Sequence, residues 1–332
     1  MLFRLEAEFK LHHRVMLSIN FDTDLKKHVR TTEFDILPDI LGSTTITSLQ
    51  ASYDAASGVE SAMSTPWKGL LPFVQDVIAP FAYAKFLPSA NGMAGQSGLM
   101  VPAEGQTASA PKWMYEEQIL AAEAAGWEAV EHLYKYLEAN KATFTAWAAS
   151  DQYSEFKGGF IYNAKTFDDY VKIGKSCRTF VAVKPKMANI EQWAILPVLG
   201  QTLFDQVKAE IKANTISSDN ALILPLIREA VAHLTMASAL DSLNMKIDGR
   251  GITVYEASTG NESSSRIQAQ MNERKEYKNG FKYIGDNILN RLAKYLNDNA
   301  STYPLFQASD AYKPDDDDVF RNAAGSRTSF LM

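Results

Sequence analysis

The sequence has a single cysteine, Cys177. That excludes an internal disulfide and any cysteine-cluster metal site, and points to a buried thiol. No run of 18 apolar residues occurs, so no membrane span is expected. Basic residues are in deficit, 33 against 39 acidic, for a net charge of -6. A dedicated nucleic-acid binder normally shows the opposite balance, so no sequence-specific nucleic-acid partner is expected. The opening "MLFRLEAEFK" carries two glutamates where an export signal needs an apolar core, and no such signal is expected. What remains is the composition of a globular protein, 46% apolar and 22% charged.

Catalytic and cofactor motifs are equally scarce. "KIGKS" (Lys172 to Ser176) looks like the end of a phosphate-binding loop, but the glycine that pattern needs further back is Asp169. A helix-capping Ser176 is the better reading. "GQSG" (Gly95 to Gly98) fails the spacing of a nucleophile elbow and reads as a loop tip. His12 and His13 are adjacent, while His28, His132 and His233 stand alone, without the i, i+4 spacing of a zinc helix. "DDDD" (Asp315 to Asp318) lacks the alternation and glycine of a calcium loop and reads as a solvated acidic linker. No catalytic residue, cofactor site or metal site is assigned, and the chain is not expected to be an enzyme.

What is present is a phrase used twice. "LYKYLEANKATFTAWAASDQY" (Leu133 to Tyr153) returns as "LAKYLNDNASTYPLFQASDAY" (Leu292 to Tyr312), identical at 10 of 21 positions. Upstream, "LLPFVQDVIAPFAYAKFLPSAN" (Leu70 to Asn91) lies over "ILPLIREAVAHLTMASALDSLN" (Ile223 to Asn244) without a gap. Gly98 then matches Gly251, and "ILPDILG" (Ile36 to Gly42) answers "ILPVLG" (Ile195 to Gly200). Further back, Phe9 and Val15 correspond to Phe167 and Ile173. Chance likeness of amphipathic helices does not reproduce Asn, Ser, Asp and Gly in one collinear order, so the chain reads as a duplication.

Each copy reads as mainly α with a short β-hairpin. Val74, Val77, Ile78 and Phe81, like Ile227, Ala230, Val231 and Leu234, recur at helical spacing. Pro72 and Pro225 suit a first turn, and Pro80 should kink its helix. "SGLMVPAEG" and "GRGITVYEASTG" read as strand or hairpin. The last long helix carries Val130, Leu133 and Leu137, or Leu289, Leu292 and Leu296, and contains Gly126 or Gly285. A helical glycine costs about 1 kcal/mol, so close approach of a neighbouring helix is expected there. Asn140 or Asn299 ends that helix, and two aromatics fold its exit back onto the core. A further helix is expected to open at Ser18 and at Ser176. The fold class expected is two tandem, similar helical-bundle domains, 1–153 and 154–312, followed by an extended tail, 313–332. That tail is polar but ends on Phe330, Leu331 and Met332; with Phe320 these are the candidate partner-docking residues.

The phrases "LPFVQDVIAPFAYAKFLPSAN", "APKWMYEEQ…GWEAVEHLYKYLEAN" and "GKSCRTFVAVKPKMANIEQWAILPVLGQTLFDQV" resemble a family of Bacteroidetes phage and prophage proteins. The helix-then-hairpin layout is similar to that of phage head–tail connector (adaptor) proteins. The resemblance implies a virion structural protein that forms a ring with copies of itself between portal and tail proteins, with packaged DNA passing through. It implies assembly in the host cytoplasm and residence in the virion. Two alternatives stand beside it: a tail-associated enzyme with carboxylates gathered by folding, and a scaffold or binding protein absent from the particle.

Overall fold

The computed structural model of the chain describes residues 1–14, 20–90, 93–95, 98–100, 112–243, 245–248, 251–254 and 271–313. Two compact units emerge: Met1–Phe156 with Ser176–Arg178, and Lys157–Lys175 with Thr179–Met332.

In the first unit α1 is Glu6–His12, α2 Lys26–Leu41, α3 Ser43–Ala55 and α4 Trp67–Ala90. Strands β1 (Met93–Gly95) and β2 (Gly98–Met100) pair antiparallel with Gly95 opposite Gly98. Then come α5 (Lys112–Ala139), α6 (Thr145–Ala148) and α7 (Asp151–Phe156). The second unit repeats the plan: α8 (Ala164–Asp168), α9 (Cys177–Ile190), α10 (Leu196–Leu199), α11 (Gln201–Ala213) and α12 (Ser218–Ser242). Strands β3 (Met245–Asp248) and β4 (Gly251–Val254) pair antiparallel, and α13 (Met271–Asp298) and α14 (Pro304–Gln307) follow. Helices α5 and α13 are 28 residues each, and α3 and α11 are 13 each.

Each unit's core forms around one helix pair, α4 with α5 or α12 with α13. Val74, Val77 and Ile78 are fully buried, as are Ile227, Ala230 and Val231. Leu133 and Leu137 face the first set; Leu292 and Leu296 face the second. By length and composition Trp67–Ser89 and Ser218–Ser242 could each cross a membrane, with mean hydropathy 1.3. Within the fold, 72% and 61% of the most apolar 18-residue window of each are buried, so much of that apolar surface is used by the cores.

The two helical glycines mark where the helices touch. A Cβ on Gly126 would lie 2.7 Å from the Phe81 ring, and one on Gly285 would lie 2.6 Å from Leu234 Cγ. Phe81 and Leu234 are themselves equivalent residues, so both copies keep the same close crossing.

The repeated phrase is repeated in its bonds. Asn140 and Asn299 each donate Nδ2 to a carbonyl one turn back, Tyr136 or Tyr295, at 2.8 Å, which satisfies an otherwise open helix-end acceptor. Ser150 and Ser309 donate to the Trp147 and Phe306 carbonyls at 2.7 Å. Phe144, Trp147, Tyr303 and Phe306 are all buried. Gly42 and Gly200 share one left-handed conformation, φ 73°, between α2 and α3 and between α10 and α11.

Several local expectations need correction. Pro72 and Pro225 lie more than a turn inside their helices, because α4 begins at Trp67 and α12 at Ser218. Ser217 sets the second start by accepting from Asn220 N at 3.4 Å. Helix α4 continues through Pro80, whose missing amide leaves the carbonyl one turn back without its donor. Ser18 and Val15 lie outside the described residues; the turn leading into α2 is capped by Asn20, whose side chain accepts from Asp22 N and Thr23 N. "ILPDILG" and "ILPVLG" align through their glycines, so Leu37, rather than Ile36, corresponds to Ile195; both are buried. In the second copy a π-helical turn, Glu191–Ile195, bridges α9 and α10.

Candidate interaction surfaces

Buried polar side chains hold main chain in place in both units. Leu2 donates its amide to Glu33 Oε1 at 2.6 Å, and its carbonyl accepts from Gln75 Nε2 at 2.6 Å. Phe160, its counterpart, donates to Glu191 Oε1 at 2.8 Å and accepts from Arg228 Nε at 2.9 Å. Glu191 is 2% exposed, and its other oxygen pairs with Lys208 Nζ at 2.6 Å. Burial pushes the Glu191 carboxyl above its ordinary pKa against the pull of Lys208, and burial likewise raises Glu33. Sequence reading missed this pin. Its trace is that Glu33 and Glu191 share the register of Phe9 and Phe167, while Gln75 and Arg228 share that of the α4/α12 match.

The phosphate-loop lookalike is occupied from within. Asp168 Oδ1 accepts from Ile173 N at 2.8 Å and Lys175 N at 3.1 Å, and Lys172 Nζ reaches Asp168 at 3.3 Å. Burial alone would raise Asp168, but those amides and Lys172 outweigh it and hold the carboxyl below its ordinary range. Two of the amides a phosphate would need, those of Ile173 and Lys175, are already bonded. Ser176 immediately precedes α9.

His12 bonds Asp76 at 2.8 Å, His13 packs on the Tyr83 ring at 4.7 Å and His28 on Phe86 at 5.9 Å. His233 lies against the Glu229 carbonyl at 2.9 Å. Among the described residues no three or more His, Cys, Asp or Glu gather as a metal would require. Cys177 is buried and free of any disulfide. Gly95 and Gly98 are paired across β1 and β2. The acidic run Asp315–Asp318 and the candidate docking residues Phe320, Phe330, Leu331 and Met332 lie outside the described residues.

The outer faces are where the copies part. Along α2, Lys27, Arg30, Asp35 and Asp39 are exposed; the equivalent exposed positions of the second unit are Pro185, Ala188, Trp193 and Pro197. All four of these charges are matched by uncharged side chains, whereas exposed Lys26 is matched by Lys184; Trp193 is 82% exposed. Phe34, 81% exposed, sits on the same turn of α2 as Asp35. An exposed tryptophan offers about 200 Å² of contact area to a partner. Surface of this kind can bind another macromolecule.

Neither a characterised protein nor a solved structure matches the chain at a significant level. One family model does, and it matches twice, over residues 37–157 and 195–316. The two matches start at Leu37 and Ile195, which the shared glycines Gly42 and Gly200 make equivalent, so the family model describes one copy and the chain holds two. Those matches cover most of the sequence, and the chain belongs to the family of unknown function DUF6712.

Proposed function

We propose that the chain is a structural protein of a tailed bacteriophage, an adaptor that forms a ring with copies of itself between portal and tail proteins. The observation that carries this reading is the contrast between the two copies. Their interiors keep the same pins and crossings, while Lys27, Arg30, Asp35 and Asp39 on the outer surface of α2 are matched by the uncharged Pro185, Ala188, Trp193 and Pro197 of the second unit. A closed ring built head to tail needs two different surfaces on each subunit. A duplicated module whose copies differ on the outside supplies them. The resemblance to phage and prophage proteins gives the setting, the virion, with packaged DNA passing through the ring without base-specific contacts.

Mass spectrometry of purified virions of the encoding phage, with electron microscopy of the particle, tests the reading. The chain should be found at the neck in ring stoichiometry. Its absence from the particle would favour the scaffold alternative. A catalytic pocket with activity on a cell-envelope polymer would favour the enzyme.

A further inference from the structure

We propose that the acidic segment Asp315–Asp318, with Phe320 behind it, docks on the Lys27, Arg30 and Phe34 face of α2 in a second copy of the chain. The proposal rests on the self-assembly in the reading above, and not on where in a virion the assembly sits.

Helical spacing builds the face. Lys27, Arg30 and Phe34 stand at i, i+3 and i+7 of α2 and share one side of it. All three are exposed, Phe34 at 81%. The carboxylates nearest in sequence are engaged elsewhere. Asp22 pairs with Lys26 at 2.8 Å, Asp24 accepts from the Asn20 amide at 2.9 Å, Glu33 holds the Leu2 amide and Asp35 pairs with Lys85. Asp39, five residues past Phe34, lies about 140° round the helix from it. Among the described residues Lys27 and Arg30 therefore have no ion-pair partner, and a bare aromatic ring stands beside them. Arginine with an aromatic neighbour is what the energetic centres of protein interfaces favour.

The chain carries the complement of this face. "KPDDDDVFR" (Lys313 to Arg321) sets four carboxylates before one aromatic. An extended chain rises about 3.3 Å per residue, which would put Phe320 about 7 Å beyond Asp318. Phe34 stands about 6 Å beyond Arg30 along the helix axis. The carboxylates can thus accept charge-assisted hydrogen bonds from Lys27 and Arg30 while Phe320 meets the Phe34 ring. The reach is set by Lys313, whose amide is bonded to Asn297 Oδ1 at 3.1 Å; seven residues on from it span at most about 25 Å.

Each element occurs once per chain. The places of Lys27, Arg30 and Phe34 in the second unit are held by Pro185, Ala188 and Gln192, with neither charge nor ring. The stretch that matches Asp315–Phe320 in the first copy, Phe156–Ile161, has no carboxylate. A chain with one segment to give, after its second unit, and one face to receive it, on its first, makes a heterologous contact. Contacts of that kind close into a ring or propagate.

The test uses the full chain, with self-association followed by sedimentation velocity at low ionic strength, where screening of such charges is least. One form carries Lys27→Glu and Arg30→Glu, a second carries Asp316→Lys and Asp318→Lys, and a third carries all four changes. Circular dichroism verifies the fold of each. The first two should each associate about tenfold or more weakly than the unaltered chain. The third should recover, because opposite charges meet again with their signs exchanged. Carbodiimide coupling of mixed isotopically light and heavy chains should give amide links from Lys27 to Asp315–Asp318 that join the two isotopes. Links found only within single chains would overturn the exchange between copies. Association untouched by either reversal would overturn the docking and leave the ring reading intact. A third form that stays as weak as the first two would show that segment and face are not partners. An unaltered chain that stays monomeric at all accessible concentrations would defeat the docking and the ring together.

Discussion

Gly126 and Gly285 sit inside 28-residue helices, where glycine is about 1 kcal/mol worse than alanine. On helix preference alone, alanine at either place should stabilise the protein. Packing reverses that outcome. At Gly285 the new carbon would stand 2.6 Å from Leu234 Cγ and 3.3 Å from the Leu234 backbone nitrogen, against an optimum near 3.5–4.0 Å. The side chain must move by about 1 Å in a filled core, and the backbone limits how far the crossing can open. Overpacking of this kind costs about 1–3 kcal/mol. Gly280 lies on the same helix with nothing within 4 Å of a would-be Cβ. Gly280→Ala therefore isolates the helix preference, and the gap between it and Gly285→Ala isolates the clash. Urea unfolding of dilute protein, followed by circular dichroism, should place Gly280→Ala about 0.5–1 kcal/mol above the parent. Gly285→Ala should fall about 1–3 kcal/mol below Gly280→Ala. Gly126→Ala should side with Gly285→Ala, since it meets the Phe81 ring at 2.7 Å. If all three variants shifted stability upward together, the close-crossing account of these glycines would be refuted.

Three further outcomes follow from the bonds described. Asp168→Ala strands the amides of Ile173 and Lys175 and should cost about 2–3 kcal/mol at neutral pH. Because the folded state lowers the Asp168 pKa, that contribution is present above the ordinary carboxylate value and is lost as pH falls through the lowered one, so parent and variant should converge in acid. Glu191→Gln has the opposite sign. A raised folded pKa gives stability that is complete below the ordinary glutamate value and lost as pH rises through the raised one. The parent-to-variant difference should therefore move in the variant's favour from acid to neutral pH; a pH-independent difference in unfolding free energy would contradict this. Trp147→Phe removes the Nε1 bond to the Ile40 carbonyl at 3.1 Å, while Phe306 shows that the site accepts the smaller ring. A cost of about 1–2 kcal/mol in thermal or urea unfolding is expected, with the fold retained.

How much of this was legible in the sequence depends on the range over which each feature is encoded. The duplication, the long apolar helices and the asparagine-ended phrase are local patterns, and local patterns survive in a one-dimensional reading. The glycines were legible too, because their cost in a helix demands a neighbour. The pin on Leu2 and Phe160 was not, since Glu33, Gln75 and their counterparts converge from distant segments and carry no motif of their own. The one-residue slip at "ILP" had a different cause. Both copies place an isoleucine and a leucine side by side before a proline, Ile36–Leu37 and Ile195–Leu196, so identity alone picked a register that burial and the φ 73° glycines override. The prolines misled in the same way: Pro72 and Pro225 match an N-terminal preference, yet Ser217 opens α12 earlier. Of the candidate docking residues, Phe320, Phe330, Leu331 and Met332 lie outside the described residues, and the exposed α2 and α9–α10 faces bear no pattern that announces them.

Duplication explains why the outside, rather than the inside, carries information about partners. Two copies with the same fold must fill similar cores, so Phe81 and Leu234 change size only within what Gly126 and Gly285 allow. No such constraint acts on Asp35 and Trp193, or on Ala124 and Tyr283, which face outward. A charged stripe is the low-risk state of an exposed helix, because it stays solvated and resists aggregation. Exchange of Lys27, Arg30, Asp35 and Asp39 for Pro185, Ala188, Trp193 and Pro197 abandons that state at four places on one face. Large side chains left bare in this way are costly for a chain that stays alone and useful for one that is covered. The contrast between charge on α2 and exposed apolar bulk at Trp193 is what the proposed assembly would favour.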